Sequence, residues 1–325
     1  MISIEDVLDQ VESAQARKYD VDTRMSLINP RVEGLKEGEE DKSISTLKFT
    51  LDGKNVGATR NGESSFLSGI NVPVSFFRRS SPHLKQEMIS EHFPLNNKKE
   101  VKVRLIDNNV RYIASSKYSI FDDLDVARTL STVDNIGNLN IRNFSQSEEY
   151  FVLRLTTKDP IINKGKRVMY PGVQIMNSEI GKSSVQISYC LYEEICTNGM
   201  MAPLKHFRPF RQKHIGKKGM EELSVAASKK LHEIDNFIDV IGRDLRKMSE
   251  VPSGKVLEEI LERATIPKVV KDKLIEKTEG YIELYGEESG LEVLSAYTEI
   301  ARDLNWERRL EQEQIAGNIL AYNFN

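Results

Sequence analysis

Two apolar runs that alternate with period two, and the polar turn between them, constrain this chain more than any other feature. Residues 168–176 read VMYPGVQIM and residues 185–191 read VQISYCL. Alternation suits a half-buried strand, because successive side chains point to opposite faces. Asn177-Ser178-Glu179 and Gly181 lie between the runs, so the chain turns there and the two strands pair antiparallel. The second run closes on Cys196-Thr197-Asn198-Gly199, where Asn198 and Gly199 can take the positive φ that ends an element.

The same pattern recurs upstream. Strands are predicted at 45–51 and 54–58 around an Asp52-Gly53 turn, at 101–105 and 110–114 around Asn108-Asn109, and at 150–156 before a turn at 160–165. Connections this short favour antiparallel pairing over crossover units. Helices are predicted at 3–18 with Ser3 as N-cap, at 82–92 with Pro82 in the first turn, and at 122–132. From Gly219 the spacing becomes helical throughout: 220–248, a break at Pro252-Ser253-Gly254, then 255–264, 267–285, 288–304 and 306–320. The reading is an α+β fold: an antiparallel sheet with flanking helices, followed by a helical C-terminal subdomain. Its segments are 1–45, an N-terminal helix and acidic loop; 46–218, a basic antiparallel α+β core; and 219–325, an acidic helical subdomain.

Charge divides along those segments. The chain of 325 residues carries a net −3. Residues 46–218 hold 26 basic and 16 acidic side chains, a net of +10, whereas residues 1–45 stand at −5 and 219–325 at −8. A basic middle between acidic ends points to a polyanionic partner; its plain alternative is solvated faces of different sign. No stretch approaches the roughly 20 apolar residues needed to span a bilayer, so no membrane partner is expected. Two cysteines, Cys190 and Cys196, suit a reducing compartment.

Catalytic templates are absent: there is no GxxxxGK[ST], GxGxxG, HExxH or CxxC. Cys196 with His206 or His214 as base, or the same three as metal ligands, is outweighed by a small buried side chain and by missing ligands. No metal and no cofactor are expected. Asn177-Ser178-Glu179 gathers an amide, a hydroxyl and a carboxylate on one turn, suited to a ligand or to satisfying backbone groups at a strand end. Asp122, Asp123 and Asp125 precede a helix, where capping and dipole pairing outweigh cation binding.

The sharpest partner signal is KHFRPFRQKH followed by Lys217-Lys218. Lys205, Arg208, Arg211, Lys213, Lys217 and Lys218 would neutralise phosphates while Phe207 and Phe210 stack on unpaired bases. Phe77, Arg78 and Arg79 repeat the pairing on a smaller scale. The alternative is a basic connector whose phenylalanines pack between subdomains.

GVQIMNSE at 172–179 with Gly181, and CTNGM at 196–200, resemble motifs of an uncharacterised phage and plasmid family, domain of unknown function 932. Ser115-Ser116-Lys117-Tyr118 with Phe121-Asp122, and 67–79 with its INVP and FFRR elements, are similar to two further segments of that family. The likeness covers 66–201. Ser116 stands where the family favours Asp, and Phe76 and Phe77 where it favours tyrosine. The resemblance implies a phage or plasmid gene working in the cytoplasm of a bacterial host, and it brings no activity with it.

The function expected is a nucleic-acid-binding protein, with single-stranded DNA binding or annealing in replication or recombination as its setting and a homo-oligomer as one form. Two other classes stay open: an interaction protein that binds and modulates a host factor, and an enzyme built on Asn177, Glu179 and Cys196.

Overall fold

A computed structural model describes residues 2–33, 47–134, 136–164, 167–194, 198–201, 206–214, 219–263, 268–304 and 306–322. In chain order the elements begin with helix α1 (Ile4–Gln15), strands β1 (Lys18–Arg24), β2 (Asn29–Val32), β3 (Leu47–Leu51) and β4 (Lys54–Ala58). Helices α2 (Arg60–Gly69), α3 (Val74–Arg79) and α4 (Pro82–Asn96) lead to strands β5 (Glu100–Ile106) and β6 (Asn109–Ser115). Helix α5 (Asp123–Ser131) precedes strands β7 (Asn140–Gln146), β8 (Phe151–Thr156), β9 (Ile162–Lys164), β10 (Arg167–Asn177), β11 (Val185–Glu193), β12 (Asn198–Met201) and β13 (Phe210–Gln212). The chain ends in helices α6 (Gly219–His232), α7 (Ile234–Ser249), α8 (Ser253–Arg263), α9 (Lys268–Tyr285), α10 (Gly290–Arg302) and α11 (Trp306–Leu320).

Local chemistry sets the boundaries. Ser3 caps α1 in a capping box with Asp6, and Ser81 caps α4 with Pro82 in its first turn. Asp52 (φ 50°) and Gly53 (φ 76°) turn β3 into β4. Asp107 (φ 46°) and Asn108 (φ 62°) turn β5 into β6, one position earlier than the Asn108-Asn109 pair.

The fold is α+β as expected, but its strands form two sheets. One has the order β1-β5-β6-β4-β3-β2, antiparallel except where β4 runs parallel to β6. Its inner face (Phe49, Leu51, Val103, Leu105, Val110) buries against Phe66 and Leu67 of α2, Ile70 directly after it, Phe77 of α3 and Ile89 of α4. Strands β1 and β2, from the N-terminal segment, belong to this sheet.

The other sheet has the order β12-β11-β10-β8-β7, with β9 pairing β10 and β13 pairing β11. The predicted 168–176 and 185–191 strands pair as β10 and β11, Val173 opposite Tyr189 and Ile175 opposite Ile187. Gly172 lets β10 approach β8 closely: a Cβ there would stand 2.0 Å from the Leu155 carbonyl oxygen. One face of this sheet shares a core with α1, α5, α6, α7 and α10. On the other face Val152, Met176 and Leu310 pack together, so α11 covers it.

All six residues of β8 are buried as a result, and α10 is enclosed from Gly290 to Thr298. The predicted 220–248 helix is two, broken at Glu233. Leu223 and Ala227 are buried on one side of the break and Phe237, Ile241 and Leu245 on the other.

Candidate functional site

Two regions carry the residues the sequence singles out: the turn after β10 and the basic segment around β13. The turn is interior. Asn177, Ser178 and Glu179 are 0%, 0% and 1% exposed. Asn177 Nδ2 donates to the Phe121 carbonyl at 2.9 Å and to Asp123 Oδ1 at 2.8 Å. Glu179 accepts from Lys18 Nζ at 2.9 and 2.8 Å, from Arg111, and from the backbone N–H of Asp123 at 2.8 Å. Arg104 Nη1 donates to the Glu179 carbonyl at 3.0 Å, and its Nε pairs with Asp20 at 2.9 Å. Its remaining nitrogen pairs with Asp122, which Gln15 also reaches at 3.0 Å.

This network joins the sheets. Lys18, Asp20, Arg104 and Arg111 stand on β1, β5 and β6 of one, and Glu179 at the end of β10 of the other. It also shows how α5 starts. Asp122 is the N-cap residue but makes no capping hydrogen bond with its side chain; the carboxylate of Glu179 takes the first N–H instead. That corrects the capping role expected of Asp122. Asp123 accepts from Asn177 and from Gln146 Nε2 at 2.9 Å.

Titration follows the partners. Burial alone would raise Glu179, but Arg111, Lys18 and Arg104 outweigh it and hold its carboxyl below the usual range. Burial, and the negative charge of Glu179, push Asp123 up. The triplet is thus a buried electrostatic joint. In this arrangement Asn177 and Glu179 are closed off from solvent. Cys196, the third residue of that alternative, lies outside the described residues, as do Lys205, Lys217 and Lys218. Asn198 and Gly199 sit on β12, opposite Glu193 and Tyr192 of β11. The thiol of Cys190, fully buried, is pushed up to about 12 by burial.

The basic segment divides by side chain. Phe207 packs edge-on to Tyr189 (5.3 Å, 77°) and Phe237 (5.2 Å, 85°). Phe210 also packs against the main core. Both rings are half-buried and engaged by the protein, as a connector's would be, which leaves each less surface for base stacking. His214 is 5% exposed, stacked on Tyr118 (5.3 Å, 8°) and edge-on to Phe121 (5.1 Å, 82°).

Arg208, Arg211 and Lys213 are exposed. In the alternation of β13, Arg211 projects away from the core that Phe210 enters, opposite Gln186. It borders a groove of about 260 Å³ with Gln174, Gln186, Ser188, Glu311 and Gln314. In the smaller cluster, Phe77 is fully buried and unavailable for stacking. Arg78 is tied to Glu63 at 2.7 Å and to the Arg60 carbonyl at 3.0 Å, and Arg79 is exposed.

The charge asymmetry is partly internal. Arg154 pairs with Glu313 at 2.5 Å and Arg167 with Glu292 at 2.8 Å, cations of the middle segment meeting acids of the C-terminal helices inside the protein. Arg104 reaches Asp20 of the N-terminal segment in the same way. Sequence reasoning passed over Lys18, Arg104, Arg111, Arg154 and Arg167. Their signal was a charged residue inside an apolar strand, as in VKVRLI and FVLRLT, which marks a buried partner on another element.

Among the described residues no group of His, Cys, Asp and Glu is placed to hold a metal ion, and no helix is long and apolar enough to cross a membrane. No family model, curated protein or solved structure matches the chain.

Proposed function

We propose that this chain binds single-stranded nucleic acid through its phosphate backbone, along the sheet edge formed by β13. One observation carries the reading. Arg208, Arg211 and Lys213 are exposed together on a short segment whose ion pair among the described residues is His206 with Asp244, at 3.6 Å. Unpaired surface cations retain their full charge for phosphates, whereas the internal arginines have spent theirs on carboxylates. The groove beside Arg211 adds Gln186, Ser188 and Gln314, whose side chains both donate and accept hydrogen bonds. With Phe207 and Phe210 held by the core, affinity rests on electrostatics and little on base identity. A phage or plasmid setting in a bacterial cytoplasm, implied by the resemblance, belongs to the same proposal.

Fluorescence anisotropy of a labelled single-stranded oligonucleotide across a salt series tests it. Each phosphate contact on a single strand contributes about 0.7 to the slope of log K against log salt. Replacing Arg208, Arg211 and Lys213 by Ala should lower affinity and flatten that slope by about 2. No binding at low salt, or an unchanged slope, refutes the proposal.

A further inference from the structure

A cavity of about 420 Å³ opens where β9 and β10 meet α7, the end of α9 and the start of α10. Small-molecule sites span roughly 300–1,000 Å³ and combine apolar walls with a few convergent polar groups. Here Ile161, Ile162, Leu245, Leu291 and Gly242 supply the apolar wall. Four charged residues line it: Lys164, Arg167 and Arg246 are basic and Glu287 acidic. Glu287 is taken up by Lys164 in an ion pair.

Arg167 is the informative member. It is 4% exposed, its guanidinium lies 4.1 Å over the Tyr285 ring, and Nη1 is 2.8 Å from Glu292. Glu193 is 3.5 Å from Nε. The charge is therefore balanced, but Nε and Nη2 make no hydrogen bond among the described residues. Buried donors without acceptors are rare in folded proteins and often mark a missing partner. At the rim Arg246 is exposed and makes no ion pair among the described residues.

We propose that this cavity binds a small amphipathic anion, its apolar body against Ile161, Ile162, Leu245 and Leu291 and its oxyanion head at the Arg167–Arg246 side. The chemistry that fits is a medium-chain carboxylate. An apolar wall alone would take a neutral hydrocarbon equally well; Arg246, which makes no ion pair among the described residues, and the two unused donors of Arg167 select the anion. The site is separate from the β13 edge and does not depend on the nucleic-acid reading.

Isothermal titration calorimetry with octanoate, octanol and octylammonium tests it on the intact chain. Octanoate should bind, octanol at least tenfold more weakly, and octylammonium not measurably. Decanoate should exceed octanoate by about fifteenfold, since each of its two extra buried methylenes adds about 0.8 kcal/mol. Gly242→Leu should abolish binding by filling the cavity. A Cβ at Gly242 meets Ile161 Cδ1 at an ordinary 3.5 Å and Arg246 Nη1 at 3.9 Å, so a side chain there enters the cavity between its apolar wall and Arg246; a circular dichroism melt matching the parent's shows that the variant is folded. Arg246→Gln should weaken octanoate about tenfold and leave octanol unchanged. Absence of octanoate binding, equal binding of octylammonium, or full binding by Gly242→Leu overturns the proposal.

Discussion

Replacing Glu179 with Gln keeps the side chain's size and removes its charge where that charge is shared by the most groups. The carboxylate has no exposed side-chain surface and faces Lys18, Arg111 and the N–H of Asp123. An amide can satisfy one or two of these donors, but its NH2 then meets a cation, and Lys18 and Arg111 stay buried without a counter-charge. Breaking a buried ion pair from one side costs about 3–5 kcal/mol, a large part of the roughly 5–15 kcal/mol typical of a folded domain. Urea unfolding at pH 7, followed by circular dichroism, should show a loss of that size. The control is Lys102→Gln, which breaks the exposed pair with Asp22 (2.6 Å) and should cost no more than about 1 kcal/mol. The pH dependence gives a second readout. Because the folded-state pKa of Glu179 lies below its ordinary 4.5, its contribution is complete above that pH and is lost as pH falls below it. Asp123, raised by burial and by Glu179, acts in the opposite sense: its contribution is greatest below about pH 3.8 and declines as pH rises through the folded value. In Glu179→Gln the first dependence should vanish and the second should shrink. A variant within 1 kcal/mol of the parent would refute the reading of this network as a joint between the sheets.

Three further outcomes are expected. Burial lowers His214 from its ordinary 6.5 to about 4, so stability should be complete above pH 6.5 and fall toward pH 4 by an amount on the order of 3 kcal/mol; His214→Phe should flatten that fall in a pH series of thermal melts. Glu313→Leu should cost at least about 3–5 kcal/mol by removing the carboxylate that Arg154 and Arg309 share, and adding Arg154→Met should recover part of it, read as a double-mutant cycle in urea. Gly172→Ala should cost at least the upper end of the roughly 1–3 kcal/mol overpacking range, because the three nearest atoms its Cβ meets are all backbone, whereas Gly280→Ala, with nothing within 4 Å, should raise the melting temperature.

The sequence alone determined the elements whose cause is local. Period-two alternation placed β10 and β11, helical spacing placed α8 to α11, and Ser3, Ser81 and Asp52-Gly53 set caps and a turn, because each signal acts within a few residues of its cause. It also delivered the polar triplet 177–179 as a unit. Strand β1 (KYDVDTR) escaped because its polar side chains pair with residues 80–161 positions away, as Lys102 does with Asp22 and Lys18 with Glu179. The charge blocks were legible, but their meaning was not: a count cannot separate a cation offered to solvent from one facing a carboxylate across a core. Only the tertiary structure decided that Arg104, Arg111, Arg154 and Arg167 hold the protein together and that Phe207 and Phe210 pack against its core. It left Arg208, Arg211 and Lys213 outside. The physical reason is that burial and pairing are set by which elements pack together, and that choice is made over distances along the chain at which local sequence carries no signal.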